Sequence, residues 1–326
     1  MTMKRSACLI FNPVAGQSDP EQDLLQIRTL LEPAFDLDIR ITTPEVDANQ
    51  LASEAVQRGV QMIIASGGDG TLSATAEALV KTGIPLGVIS RGTANAFASA
   101  LGIPNTIDAA CQTILDGATR VVDAAQCNGK QMVLLVGVGF EAEVVEKADR
   151  ETKNRLGMMA YVLAGVKQLR EFETFEATIE TDEKVITVTA AAVTIANAAP
   201  STSILAQGPA GIVYDDGLLD LTVVAPENRA GAIASAYHLL QTALSGDAAE
   251  RDDIGYLRAR RIKVSTNPPQ KVVLDGEILG TMPIDVECIP GGLTICVPLV
   301  EEVQALEKLD GLRELTIESK LEVGLE

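Results

Sequence analysis

The sequence predicts two domains of different class. Residues 1–125 read as an α/β domain, a parallel sheet with flanking helices, and residues 126–300 as a mainly antiparallel β-sandwich whose last strand returns to the first domain; an acidic tail follows at 301–326. Three observations predict this. The 326 residues are about twice an ordinary domain length. Up to about residue 125, short apolar runs alternate with segments of helical period, the pattern of strand–helix–strand units. Beyond that point threonine alternates with β-branched residues between turn dipeptides, the pattern of antiparallel strands.

Taken in order, Ala7–Phe11 is a continuous apolar strand, and Glu21–Leu31 is a helix with Leu24, Leu25, Ile27 and Leu31 on one side, ended by Pro33. Leu37–Thr42 alternates as a strand. Asp47–Arg58 is a helix stopped by Gly59, Val60–Ala65 a buried strand, and Thr71–Lys81 an alanine-rich helix before Gly83. Leu86–Ile89 is a strand, and Ala94–Leu101 and Ile107–Asp116 are helices, the second stopped by Gly117. In the second half, Val133–Phe140, Glu173–Glu180, Val185–Ile195, Leu218–Val224, Ile262–Ser265, Val272–Leu274, Ile284–Ile289 and Leu293–Val297 read as strands. Asp216-Gly217, Asp275-Gly276 and Pro290-Gly291-Gly292 are the turn signals, and helices are expected near Gly157–Phe172 and Arg229–Leu244. The tail holds eight acids and three bases with poor periodicity, so a frayed end or a loosely docked helix is expected.

Composition excludes several function classes. Forty-five acids against 26 bases give a net charge of -19, and aromatics are only 3%. Such a chain is repelled by phosphate backbones and lacks the rings that stack on single strands, so no nucleic-acid partner is expected. The single histidine, His238, lies in an apolar helical run and reads as a satisfied helix residue; multi-histidine metal sites cannot form. Five cysteines without a C-x-x-C pair read as small buried thiols of a reduced, cytoplasmic protein. The run Ala7–Phe11 is too short for a signal peptide, and the uncharged stretch Val185–Tyr214 is interrupted by Pro200, Gly208 and Pro209.

The chemistry concentrates in loops. Ser66-Gly67-Gly68-Asp69-Gly70-Thr71 follows a buried strand and opens a helix. Its glycines let the backbone approach a ligand, and the N–H groups at the helix start favour an anion. Asp69 is a candidate to hold magnesium or its waters. The loop lacks the G-K-[ST] ending of a Walker A motif. Ser90-Arg91-Gly92-Thr93-Ala94-Asn95 follows the next strand, and Asn12-Pro13-Val14-Ala15-Gly16 follows the first. In a parallel sheet all three loops emerge at the carboxyl edge, where such sheets bind ligands. Arg91 and the Thr93 hydroxyl are expected to meet phosphate oxygens.

Asn12-Pro13-x-x-Gly16, Gly67-Gly68-Asp69-Gly70-Thr71, Gly92-Thr93-Ala94-Asn95, Asp215-Asp216-Gly217-Leu218 and Leu274-Asp275-Gly276-Glu277 occur in this order. Together they resemble the diacylglycerol kinase catalytic-domain family, specifically its soluble bacterial lipid kinases, over roughly residues 5–299. The resemblance implies an ATP cleft between an α/β domain and a β-sandwich, a lipid alcohol as substrate, ATP and Mg2+ as cofactors, and phospholipid metabolism as the setting. It implies nucleotide contacts at Asn12, Thr42, Gly67, Gly68, Asp69, Gly70, Thr71, Leu72, Ser73, Ala74 and Thr93. It makes Glu277 the acceptor of the hydroxyl proton, with Asp275 beside it, and it places a magnesium ion on Asp216 and the carbonyls of Val213 and Leu218. A cytoplasmic enzyme, peripheral to the membrane and in transient contact with its surface, follows from that substrate; a homodimer is left open.

The sequence departs from the family pattern at Ser73-Ala74, where Asn-Glu is common, at Ala96, where Asp is common, and at Ser90, where Pro is common. Two acids are thereby absent from the cleft. The rival readings are an NAD or sugar kinase sharing the Gly-Gly-Asp-Gly-Thr loop, and a nucleotide-binding regulator without transferase activity. Asp275-Gly276 and Asp216-Gly217 are also ordinary turn signals. Basic clusters at Lys147–Arg155 and Arg258–Lys263 are candidate contacts for anionic headgroups, or else solvated and paired surface; the apolar helix Leu156–Leu169 follows the first.

Overall fold

The computed structural model of the chain describes residues 4–139, 173–200, 203–208, 211–245, 247–298, 307–312 and 315–319. Two compact units divide it: Met1–Ala124 with Pro290–Glu302, and Ala125–Ile289 with Val303–Glu326.

The first unit is built on parallel strands β1 (Arg5–Phe11), β2 (Phe35–Ile41), β3 (Met62–Gly67) and β4 (Leu86–Ser90), in the order β2-β1-β3-β4. Helices α1 (Pro20–Leu31), α2 (Ala48–Gln57), α3 (Asp69–Leu79), α4 (Ala96–Ala100) and α5 (Ile107–Asp116) connect and cover them. Asp19, Asp47 and Thr106 cap the starts of α1, α2 and α5 with side-chain oxygens, and Gly117 ends α5 in the left-handed region at φ 70°. One face of the sheet presents Ala7, Leu9, Phe11 and Ile64 to Ile27 and Leu31 of α1 and to Cys111 and Ile114 of α5. Cys8 and Ile10, alternating with these, are buried on the other face. Burial on both faces explains why these strands read as unbroken apolar runs.

The second unit is a sandwich. One sheet contains β8 (Phe175–Glu180), β9 (Lys184–Ala190), β13 (Arg261–Asn267) and β17 (Thr316–Ser319), with the first part of β16 (Ile284–Cys296) on β13. The other has the order β12-β11-β10-β7-β14-β15, from β7 (Leu135–Gly139), β10 (Ala192–Ala196), β11 (Leu219–Val224), β12 (Ile254–Ala259), β14 (Lys271–Leu274) and β15 (Glu277–Thr281). Ile179, Val188, Ile262 and Val264 of the first sheet share one core with Val136, Val138, Ile195, Leu221 and Leu257 of the second. Helix α6 (Arg229–Ser245) lays Leu239 against Ala192, Val224 and Tyr256 on the outer face of the second sheet.

Several elements differ from expectation. The run Val185–Ile195 is two strands, β9 and β10, in different sheets, with Ala191 between them donating its N–H to the Val224 carbonyl at 2.8 Å. The two strands expected around Pro290-Gly291-Gly292 are one strand, β16; there Asp123 accepts the Gly291 N–H at 2.8 Å and the Lys81 N–H meets the Gly292 carbonyl at 2.8 Å. Strands β5 (Thr119–Cys127), β6 (Lys130–Met132) and β12 were not expected. The helix expected near Gly157–Phe172 lies outside the described residues.

The described part of the tail is neither frayed nor helical. Lys308 exchanges backbone hydrogen bonds with Tyr256 on β12, at 2.5 and 2.6 Å, and β17 pairs antiparallel with β9. The tail therefore covers an edge strand of each sheet, which removes two pairing edges. Leu312 joins the sandwich core over Gly255, where an added Cβ would lie 2.5 Å from its Cδ1. Leu312→Ala is expected to lower unfolding free energy by about 2–4 kcal/mol, measured by urea denaturation; a loss under about 0.5 kcal/mol would show that the tail merely rests on the core.

Candidate functional site

In the first unit β1, β2, β3 and β4 run parallel, so the loops after them share one edge. Those loops are fastened to one another by backbone bonds. The Asn12 N–H donates to the Ser66 carbonyl at 2.9 Å, the Thr42 N–H to Phe11 at 3.0 Å, and the Arg91 N–H to Gly67 at 2.7 Å. The Asn12 carboxamide donates to the Thr71 hydroxyl at 2.8 Å. Packing is so close that only glycine fits at two points: an added Cβ on Gly92 would lie 2.8 Å from the Gly68 Cα, and one on Gly16 2.5 Å from the Arg91 carbonyl oxygen. Gly16 also sits in the left-handed region, at φ 85°.

These loops enclose a cavity of about 560 Å3, within the range of small-ligand sites. Asn12, Thr42, Gly68, Gly70, Thr71 and Ala74, all expected at the nucleotide, line it. So do Val14, Ala15 and Gly92, and a wall of Thr43, Pro44, Asp47 and Ala48 after β2 that sequence reasoning missed, although the strand signal at Leu37–Thr42 placed that loop at the same edge. Helix α3 starts at Gly68 with no side-chain cap; the Asp69 carboxylate takes its own N–H, and the Thr71 N–H returns to the Gly68 carbonyl at 2.9 Å. Among the described residues no lysine or arginine lines the cavity, which leaves peptide N–H groups and the Thr42, Thr43 and Thr71 hydroxyls as its candidate donors. Leu72 is a correction: its side chain is fully buried in the core and does not face the cavity. Gly67, Asp69, Ser73 and Thr93 are outside the lining, though Thr93 is exposed on the adjoining loop.

Two charged residues of these loops are used internally. Arg91 does not reach outward to phosphate. Its Nε donates to Asp23 at 2.7 Å, Nη1 to the Asn12 carbonyl at 2.9 Å, and the guanidinium stacks 4.3 Å from the Phe11 ring centre; its side chain is 2% exposed. The Asp69 carboxylate caps α4, accepting the Phe97 N–H at 3.0 Å together with those of Ala96 and Asn95. Burial pushes its pKa up, against those N–H groups pulling it down. Its geometry is that of a tie between the loops after β3 and β4, not of a ligand held open for a cation.

In the second unit β14 and β15 are joined by Asp275-Gly276, both with φ above zero (48° and 86°), the geometry of a two-residue type I′ hairpin. The turn reading therefore holds at this position. Asp275 Oδ1 accepts the N–H groups of Leu134 and Leu135 at 3.0 and 2.9 Å, and Oδ2 that of Val133 at 2.9 Å. The Asp275 N–H donates to the Leu135 carbonyl at 2.9 Å. This clamp sets the start of β15 on the sheet edge, where Glu277 is exposed.

The third expected site, Val213, Asp216 and Leu218, holds a guanidinium. Arg258 on β12 lies directly across from Asp220 on β11; its Nε donates to Asp220 at 2.9 Å and its Nη2 to the Asp216 carboxylate. The other Asp216 oxygen accepts the Leu218 N–H at 3.1 Å. Burial, the larger influence, pushes the Asp220 carboxyl up to about 7 against the pull of Arg258. Among the described residues no cluster of three or more His, Cys, Asp or Glu side chains can hold a metal ion. With both Asp216 oxygens engaged, these residues do not fit the implied magnesium.

The basic cluster Arg258–Lys263 is not a free patch: Arg258 is buried in the pairs just described, and Arg261 and Lys263 both reach Asp285, at 2.6 and 4.0 Å. The cluster Lys147–Arg155 and helix Leu156–Leu169 lie outside the described residues. His238 accepts the Glu250 N–H at 3.3 Å, as a satisfied helix residue does. All five cysteines are free and buried. Among the described residues no helix is long and apolar enough to cross a membrane.

Comparison with known proteins bears on both units. Residues 6–127 match the model of the diacylglycerol kinase catalytic domain, and residues 134–297 that of the YegS C-terminal NAD kinase beta sandwich-like domain. An uncharacterized protein of Synechocystis is 51% identical over 302 residues, covering 89% of this chain and 70% of its own. A Bacillus subtilis protein named diacylglycerol kinase is 33% identical over 287 residues, covering 86% and 92%. The crystal structure of a diacylglycerol kinase homologue from Bacillus anthracis superposes with a TM-score of 0.76 at 29% identity, over 91% of this chain and 98% of that one. The glycine-fastened loops, the sandwich and these matches agree, and the chain belongs to the diacylglycerol kinase catalytic-domain family of lipid kinases.

Proposed function

We propose that the chain is an ATP-dependent lipid kinase that transfers the γ-phosphate to the hydroxyl of a diacylglycerol-like lipid. The observation that carries this reading is the cavity of about 560 Å3 walled by loops in backbone contact at the carboxyl edge of a parallel sheet. Phosphoryl transfer to an alcohol needs a held triphosphate and a base for the hydroxyl proton. Peptide N–H groups at the start of α3 and the threonine hydroxyls hold the phosphates, and magnesium is proposed only as the counter-ion that travels with ATP. Glu277 takes the hydroxyl proton as the oxygen attacks the γ-phosphorus and ADP leaves. Asp275 is a positioning residue: its two oxygens already receive three peptide N–H groups, so its work is to aim β15. A lipid acceptor implies a cytoplasmic protein that visits a membrane surface without spanning it, as a monomer or homodimer, with no nucleic-acid partner.

The sandwich's likeness to an NAD kinase domain keeps an NAD acceptor as the second reading, and the alanines at 74 and 96 motivate a regulator that binds nucleotide without transfer. Labelled ATP offered with total lipid and, separately, with NAD decides among them. Label in a phosphorylated lipid supports the proposal, label in NADP the second reading, and ATP binding without either product the third.

Three variants probe the residues. Glu277→Gln is expected to lower kcat by about 10²–10⁴-fold while calorimetry shows ATP binding unchanged; full turnover would remove Glu277 as the base. Asp275→Asn puts an amide where a peptide N–H expects an acceptor, and is expected to lose about 1–3 kcal/mol of stability together with kcat. Gly92→Ala drives a methyl into Gly68 and is expected to weaken ATP binding about tenfold or more with the second unit's melting unaffected, read by titration calorimetry and scanning calorimetry.

A further inference from the structure

The turn before β11 is the place where the residues present and the implied cofactor disagree. A magnesium ion there would need acceptors: the Asp216 carboxylate and the carbonyls of Val213 and Leu218. Peptide N–H groups of the loop are already turned on the two aspartates. The Leu218 N–H points to Asp216 at 3.1 Å and the Val213 N–H hydrogen-bonds to Asp220. Between the two carboxylates lies the fork of Arg258, one nitrogen on each. The inner pair is dry, with the Arg258 side chain 7% exposed and that of Asp220 2%, while the Asp216 side chain is 27% exposed. Arg258 is also fixed from behind, because its strand pairs with β11 in the register Asp220↔Arg258 and its own N–H donates to the Glu307 carboxylate of the tail at 2.9 Å.

We infer that in this chain the Arg258 guanidinium, and not a divalent cation, orders the Val213–Leu218 loop. A guanidinium carries its charge at every accessible pH and presents donors in a planar fork that matches two carboxylates. It ties the three residues assigned to the metal through Asp216 and Asp220, and it occupies the carboxylate that a metal would require. The order of this unit then does not depend on the free concentration of magnesium or calcium, which separates any metal requirement of turnover from folding.

The test is thermal melting of the full chain without nucleotide, so it is independent of whether ATP is the phosphoryl donor. A cation that orders the native state and is present at a hundred times its dissociation constant raises the midpoint of a unit of this size by roughly 5–10 °C. The wild-type midpoint is expected to be the same, within about 1 °C, in EDTA, in magnesium and in calcium, a shift near the limit such linkage would leave undetected. Arg258→Gln leaves Asp216 and Asp220 without their cation; its midpoint is expected to fall in EDTA and to recover in part when magnesium is added. A wild-type midpoint that drops by several degrees in EDTA and is restored by magnesium overturns the inference. So does an Arg258→Gln midpoint equal to or above that of wild type. Where the variant does not fold, the wild-type comparison decides alone.

Discussion

The carboxyl edge of the parallel sheet depends on backbone meeting backbone. Gly92 lies so close to the Gly68 Cα that the loop after β4 tolerates no side chain there, and Gly16 touches the Arg91 carbonyl in the same way. The contact does more than save space. Loops pressed together expose peptide N–H groups where a longer side chain would otherwise stand, and with no lysine or arginine among the described lining residues these are the groups left to meet an anion. The start of α3 is closed locally: Gly68 at the cap has no side chain, the Asp69 carboxylate takes its own N–H, and the Thr71 N–H returns to the Gly68 carbonyl at 2.9 Å. Burial of Leu72 one turn later anchors that helix start in the core.

A strongly acidic chain must keep its carboxylates from opposing one another. Here the aspartates nearest the functional loops are turned into fasteners. Asp69 collects the N–H groups at the start of α4, Asp275 those of residues 133–135, and Asp123 that of Gly291. Asp23 binds Arg91, and Asp216 and Asp220 share Arg258. A carboxylate that accepts two or three N–H bonds has its charge spread into the backbone and is held in one orientation. The same bonds do structural work, since each joins segments distant in the chain: Asp69 to Phe97, Asp275 to Val133, Asp23 to Arg91. Glu277 is the contrast. It stands exposed at the start of an edge strand, two residues beyond a clamped aspartate.

How far the sequence disclosed this depends on whether a residue's partner is local. The strands and helices of the first unit were legible because apolar runs between glycines and prolines report burial on two faces, and the glycine loops were legible because their glycines stand at strand ends. Asp275-Gly276 was legible as a turn, and the hairpin is there. What failed was long-range. Nothing local tells that Arg91 turns inward, because Asp23 lies 68 residues away. The break at Ala191 carries no turn residue; the chain changes sheets inside an alternating run that would serve either sheet. Pro290-Gly291-Gly292 failed in the opposite sense. It looks like a turn, yet Asp123 and Lys81 satisfy the backbone groups that the proline and glycines leave out of a ladder, and the strand continues. The tail looked disposable because its sequence lacks a period, whereas it contributes a bridge, a short strand and one core leucine, none of which needs one.

Arg258 shows the same limit with a chemical consequence. As one of four basic residues between 258 and 263 it read as a contact for anionic groups or as solvated or paired surface. Strand alternation narrows this: the residue directly across from Asp220 in β11 must share its face, and there Arg258 is buried against Asp220 with Asp216 at its outer edge. A buried acid without a cation would protonate or draw in a metal. Supplying the cation covalently, on the neighbouring strand, fixes both its position and its stoichiometry. The tail then matters beyond its own packing, because Glu307 holds the strand that carries Arg258. The loop and the tail thus meet at one residue, the loop through the Arg258 side chain and the tail through its backbone N–H.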